Sequence, residues 1–209
     1  MLDLQALALD PAQGHRLDVA DYKQDFRQRR GEVQKLDSWK LERQQHFMEL
    51  NNPSWDAFHR GEWDEALRLL ADKRAEVRSL VQADRNRGSV FHRVRVVEQP
   101  LTPYLQWELN SLRVRAESGM PIRVIEGEKV RHLEAAGPLP EMVSLGSRTL
   151  YNVRYTDAGV LEGAIRYTDP DLVERWTRFI KELYEDGEDL IPYVEREVAH
   201  LPAPQVGAE

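Results

Sequence analysis

The chain moves between two hydrophobic periods, and each change of period marks an element. Over residues 63–88, "WDEALRLLADKRAEVRSLVQADRNRG", Leu67, Leu70, Val77 and Val81 recur three, four or seven apart with charges between them. That spacing predicts one long helix stopped by Gly88. Val19, Tyr22 and Phe26 predict a shorter helix over 19–30, closed by Gly31. Alternation with a period of two predicts strands at 38–48, 89–97, 121–125, 142–146, 148–156 and 160–168.

The stretch "FHRVRVVEQPLTPYLQWEL" (91–109) joins the two patterns. Its strand puts Phe91, Arg93, Arg95 and Val97 on one face and His92, Val94 and Val96 on the other. Thr102 is a good N-cap, and Pro103 stands where its missing N–H costs nothing. The helix that follows closes at Gly119. Leu105, Leu109, Leu112 and Ala116 form its buried stripe, and Tyr104, Glu108, Ser111 and Arg115 lie alongside. Strand 121–125 comes at once, so strand, helix and strand make a βαβ unit with parallel strands. Asp157-Ala158-Gly159 predicts a hairpin between the last two strands. Asp169 and Pro170 then open a helix buried through Leu172, Trp176, Phe179, Ile180 and Leu183, and a short helix over 189–200 ends the pattern. The predicted fold is α/β (α+β), a mixed sheet with a βαβ unit, a late β-hairpin and flanking helices. Asp10-Pro11 and Gly14 interrupt any element near the start. Residues 1–18 are therefore expected to be a disordered arm, 19–200 a single α/β domain, and 201–209 a disordered tail.

Composition narrows the chemistry. The net charge is −7, which does not suit a protein that wraps nucleic acid through its whole surface. There is no cysteine, which excludes a disulfide framework, a zinc-thiolate site and a cysteine nucleophile. No apolar run approaches a membrane span, and the N-terminus lacks a basic leader, so the expected location is cytoplasmic. The phosphate-cradling glycine loops, the His-Glu-x-x-His zinc motif and the Gly-x-Ser-x-Gly elbow are all missing. No cofactor and no metal site are expected. What remains is a set of residues on the βαβ unit: Arg93, Arg95, Tyr104, Trp107, Glu108 and Arg123. Converging arginines suit a carboxylate or a phosphate. The same residues also suit a core ion pair, with Glu108 accepting from Arg95, because an unpaired buried charge is very costly.

The stretches "SWKLERQQHF", "WDAFHRGEW", "SGMPIRVIEG" and "DLVERWTRFIKELYEDGEDLIPY", together with the Arg-Val-Arg strand and its Pro-x-x-x-Tyr-x-x-x-Glu helix, carry a resemblance. Over residues 25–195 the chain resembles an actinobacterial family of unknown function. Residues 1–20 and 128–142 depart from that pattern. The resemblance implies genes set beside helix-turn-helix regulators, and so a regulatory role built on protein–protein interaction. A more distant similarity is to a phospholipase D-like half-domain, carried by the strand–helix–strand order, the late hairpin and the final aromatic helix. That superfamily needs His-x-Lys-x-x-x-x-Asp. Here His92 is followed by Val94 and Gln99 at the other two positions, so the implied nucleophile is missing.

The expected function is a non-enzymatic regulatory or partner-binding protein, acting with a helix-turn-helix regulator or sensing a small anionic ligand. One alternative is an enzyme that holds an anionic phosphate or carboxylate substrate on Arg93, Arg95 and Arg123, with Tyr104 or Glu108 in acid/base work. Another is direct DNA binding through Lys23, Arg27, Arg29 and Arg30, which Asp21 and Asp25 on the same helix weigh against.

Overall fold

A computed structural model describes residues 7–205. Eight strands form one mixed sheet: β1 (His15–Leu17), β2 (Ser38–Glu42), β3 (Phe91–Val97), β4 (Ile122–Glu126), β5 (Glu141–Leu145), β6 (Thr149–Tyr155), β7 (Leu161–Tyr167) and β8 (Glu188–Asp189). Their order across the sheet is β1-β7-β6-β5-β2-β3-β4-β8. β2, β3 and β4 run parallel, whereas β5 lies antiparallel to β2 and starts an antiparallel half. β3 and β4 are joined by helix α5 (Pro103–Glu117), the predicted βαβ unit. Thr102 caps α5 through its side chain, as its position in the sequence implies.

Two helical layers share one face of the sheet. α1 (Val19–Glu32) covers the antiparallel half, where Tyr22 and Phe26 pack on Phe91, Val143 and Tyr151. α2 (Pro53–His59), α3 (Trp63–Asp72) and α5 cover the parallel half, with Trp55, Leu70, Leu105 and Leu109 in its core. After the short α6 (Gly127–Val130), the opposite face is covered by α7 (Pro170–Asp186), whose Val173, Trp176, Phe179 and Ile180 pack on Leu41, Val94, Val96 and Met142. Among the described residues, no helix is long and apolar enough to cross a membrane.

The structure corrects several expectations. Residues 7–17 are not a loose arm. β1 pairs antiparallel with β7, and the carbonyl of buried Leu7 accepts from Trp176 Nε1 at 3.2 Å. The residues that read as breakers are what let this segment dock. Asp10 caps a 3-10 turn over Pro11–Gln13, and a Cβ at Gly14 would lie 2.3 Å from Ile165. Gly163 has φ +127, and a Cβ there would meet the Leu17 carbonyl at 2.1 Å. Residues 1–6 of the expected arm lie outside the described residues. The expected tail is docked at one point, where Gln106 Nε2 donates to the Pro202 carbonyl at 2.7 Å, and residues 206–209 lie outside the described residues.

The long helix over 63–88 is two helices, because Lys73 separates α3 from α4 (Arg74–Asn86). The Lys73 N–H bonds Leu70 three residues back, a tightened turn, and the helix is interrupted there without Pro or Gly. α4 then delivers Asp84 to Arg30 and Arg87. Gly31 does not end α1, which continues to Glu32, because its backbone keeps a negative φ. The strand expected over 38–48 stops at Glu42. Beyond it, the Glu141 carboxylate takes the backbone N–H groups of Arg43 and Gln44 at 2.7 and 2.6 Å, so they cannot continue the ladder.

Candidate functional site

The two helical layers leave a gap above β2 and β3. It is a cleft of about 590 Å³. Lys40, Glu42 and Arg93 form its floor, Lys23 of α1 stands on one wall, and Glu108, Ser111 and Arg115 of α5 stand on the other. Strand register explains the floor. Lys40 pairs with Arg93 and Glu42 pairs with Arg95, so four charged side chains project together from two adjacent strands.

The charges within this group are unevenly shared. Glu42 is buried and serves two cations, with Arg93 Nη1 at 2.7 Å and Lys40 Nζ at 2.5 Å. Burial alone would raise its pKa, but Arg93, Lys40 and Arg95 outweigh burial and hold it at about 2. Below the floor, Arg95 is wholly inaccessible. Its Nε donates to Glu108 Oε2 at 2.8 Å, Nη2 lies 2.7 Å from the same oxygen, and Nη1 donates to the Val96 carbonyl at 3.0 Å. Burial opposes the Arg95 charge, yet Glu108 and Glu42 more than offset it and keep its pKa above the ordinary value. Burial pushes Glu108 upward, and Arg95 opposes that push.

Two cations in the cleft are left over. Neither Lys23 nor Arg115 has an ion-pair partner among the described residues. Arg93 Nε is buried with no hydrogen-bond acceptor. Arg115 is held below its ordinary pKa, first by burial and then by the neighbouring charge of Arg93. Two guanidinium groups that repel each other across a cleft, with unused donors, form an arrangement that an oxyanion would relieve.

The residues singled out from sequence divide into three groups. Arg93 and Glu108 line the cleft. Arg95 and Tyr104 lie under it. Arg95 bonds Glu108 as expected, but Tyr104 only packs, edge-on to His46 at 5.0 Å and Trp55 at 5.4 Å, and its buried hydroxyl makes no hydrogen bond. Trp107 touches the cleft, but its Nε1 donates to Ser54 Oγ at 3.0 Å, which ties α5 to α2. Arg123 does not join the others. It pairs in register with Val94, not with Arg93 or Arg95, and so faces α7. There it caps the end of that helix, donating to the carbonyls of Tyr184 and Glu185 at 3.1 and 3.2 Å. The cations suggested for DNA are partly committed as well: Arg29 pairs with Asp25 and Arg30 with Asp84.

Sequence reasoning missed Lys40 and Glu42 as site residues. Their signal was present in "SWKLE", where a basic and an acidic residue alternate with Trp39 and Leu41. It also missed Glu141, buried beside Glu42. Burial, and then Glu42, raise the Glu141 pKa to about 7.

A family model described as a domain of unknown function (DUF6879) matches residues 24–195. No curated protein matches the chain.

Proposed function

Because the chain belongs to the DUF6879 family, whose domain has no known function, we propose its function from the cleft: it binds a small anion, a carboxylate or a phosphate, and acts as a non-enzymatic ligand-sensing protein. The observation that carries this reading is Arg115, an α5 guanidinium that lines the cleft with no ion-pair partner among the described residues. Arg93 lines the same space and keeps a buried Nε–H without an acceptor, and Lys23 adds a second unspent positive charge at the wall. Two of the three carboxylates of the cleft are committed, Glu42 to Lys40 and Arg93 and Glu108 to Arg95, whereas Glu49 has no ion pair among the described residues. That favours binding over acid/base chemistry at this position.

The site also suits a sensor by its place in the fold. An anion between α1 and α5 would add a link between two helical layers that otherwise meet through the sheet and through the pair of Arg30 on α1 with Asp84 on α4. A ligand that strengthens one arrangement of these layers shifts the population presented to a partner. The regulatory role and a helix-turn-helix partner are supported by the family resemblance alone.

Thermal denaturation of the full chain against a panel of carboxylates and phosphates tests the binding reading. At least one anion should raise the melting temperature, by RT ln(1 + [L]/Kd) of added stability. The effect should vanish in Arg115→Ala and shrink in Arg93→Ala. A rise that is equal in wild type and Arg115→Ala would refute the site.

A further inference from the structure

The cleft is not the only hollow that Arg115 lines. A second cavity of about 460 Å³ opens beside it, among α3, α4 and α5. The two share Asn51, Asn52, Ser111 and Arg115 and so lie on either side of one layer of side chains. Their chemistry differs. The cleft sets Lys23, Lys40, Arg93 and Arg115 against Glu42, Glu49 and Glu108, whereas the second cavity has an apolar share, Pro53, Leu69, Leu70, Val77, Leu80 and Val114, beside Asp72, Lys73 and Glu76.

Large apolar side chains in water mark the same place. Among the described residues only Leu36, Leu50 and Leu80 are large hydrophobics left exposed. Leu50, 61% exposed, lines the cleft, and Leu80, 42% exposed, lines the second cavity. Single exposed leucines are ordinary. Here, however, they stand at two hollows that meet at an unpartnered guanidinium, whose own methylene stem can lie along an apolar wall.

We propose that the anion of the cleft is the head group of an amphipathic molecule, an alkyl carboxylate or alkyl phosphate, whose hydrocarbon chain passes Arg115 and lies in the second cavity. This rests on the anion-binding reading of the cleft and adds the class of ligand. The head group meets Arg93, Arg115 and Lys23, and the chain covers Leu80, Leu69 and Val114.

Isothermal titration of the full chain with inorganic phosphate, acetate, octyl phosphate and octanoate, the last two below their micelle-forming concentrations, tests it. Each buried methylene strengthens binding by about fourfold. Octyl phosphate should therefore bind at one site at least about tenfold more tightly than phosphate, and octanoate should exceed acetate likewise. Leu80→Glu, a change at an exposed position that leaves the cleft intact, should erase the gain from the chain while phosphate binds as before. Equal affinity for phosphate and octyl phosphate would overturn the amphipathic ligand and leave the anion site standing. An octyl gain that survives Leu80→Glu, or unsaturable binding untouched by Arg115→Ala, would also overturn it. If none of the four binds, the anion site fails and the inference falls with it.

Discussion

Replacing Arg95 should be among the most damaging single changes to this protein. Its side chain is fully inaccessible, and that of its partner Glu108 is 8% exposed. Arg95→Ala would leave the buried Glu108 carboxylate without its counter-charge, and would also remove the donor to the Val96 carbonyl. Breaking a buried pair from one side costs about 3–5 kcal/mol. Arg74→Ala is the control. That arginine also pairs with a glutamate, Glu117 at 2.8 Å, but its side chain is 41% exposed. Its loss should cost under about 1 kcal/mol, because solvent replaces the pair. Removing both partners of the buried pair, as Arg95→Met with Glu108→Leu, should recover part of the loss, since matched apolar side chains need no counter-charge. The Val96 carbonyl would remain unserved, at a cost of about 1 kcal/mol or more, so recovery should be incomplete. Urea unfolding at pH 7, followed by tryptophan fluorescence, gives the midpoints. Equal midpoints for Arg95→Ala and Arg74→Ala, or a double variant whose loss is the sum of the two single losses, would refute this reasoning.

Three further outcomes follow from the packing. The folded Glu141 carboxyl titrates at about 7, above the ordinary glutamate value of about 4.3. The folded state therefore keeps the proton that the unfolded chain releases, and stability from this group falls as pH rises from about 4.3 to about 7. The swing is of order 3 kcal/mol, and Glu141→Gln should remove it. A wild-type-to-variant difference in urea midpoint that is the same at pH 4.5 and pH 8 would contradict this. Deleting residues 1–18 removes β1 and buried Leu7 and Leu17, and should cost about 3–6 kcal/mol, measured as a large fall in melting temperature. A truncated chain that melts with the full one would show that β1 does not hold the edge of the sheet. Gly163→Ala should destabilise in the same direction, because the new methyl meets the Leu17 carbonyl, and deleting β1 should relieve that clash but leave the strain of an alanine at φ +127.

The sequence made the Arg95–Glu108 pair legible because every step was local. Alternation put Arg95 and Arg93 on one face, Thr102 and Pro103 set the start of α5, and the short turn left Glu108 within reach of the strand. Arg115 was placed on the stripe with Glu108 and Ser111 but was not singled out as a site residue, because nothing within α5 shows that a cleft opens beside that stripe. What stayed hidden depends on how distant segments align. Arg123 sits on the far face because β4 meets β3 with Ile122, not Arg123, opposite Arg93. No periodicity within either strand gives that register. Glu42 and Glu141 become neighbours only because β5, nearly a hundred residues on, inserts beside β2. The break at Lys73 carries no Pro or Gly to announce it. β1 was obscured because the residues that dock it, Asp10, Pro11 and Gly14, are also those that end elements elsewhere.

The most direct measurement is the arginine Nε–H spectrum of the ¹⁵N-labelled full chain during titration with inorganic phosphate and, separately, with succinate. The anion site predicts that the Arg93 and Arg115 signals shift and saturate with at least one of the two. Arg95, closed off beneath the floor and already bonded to Glu108, should stay in place, and Arg74 on the surface should drift only with ionic strength. If all four signals drift together without saturating in both titrations, the cleft does not bind an anion and the account's central claim is contradicted.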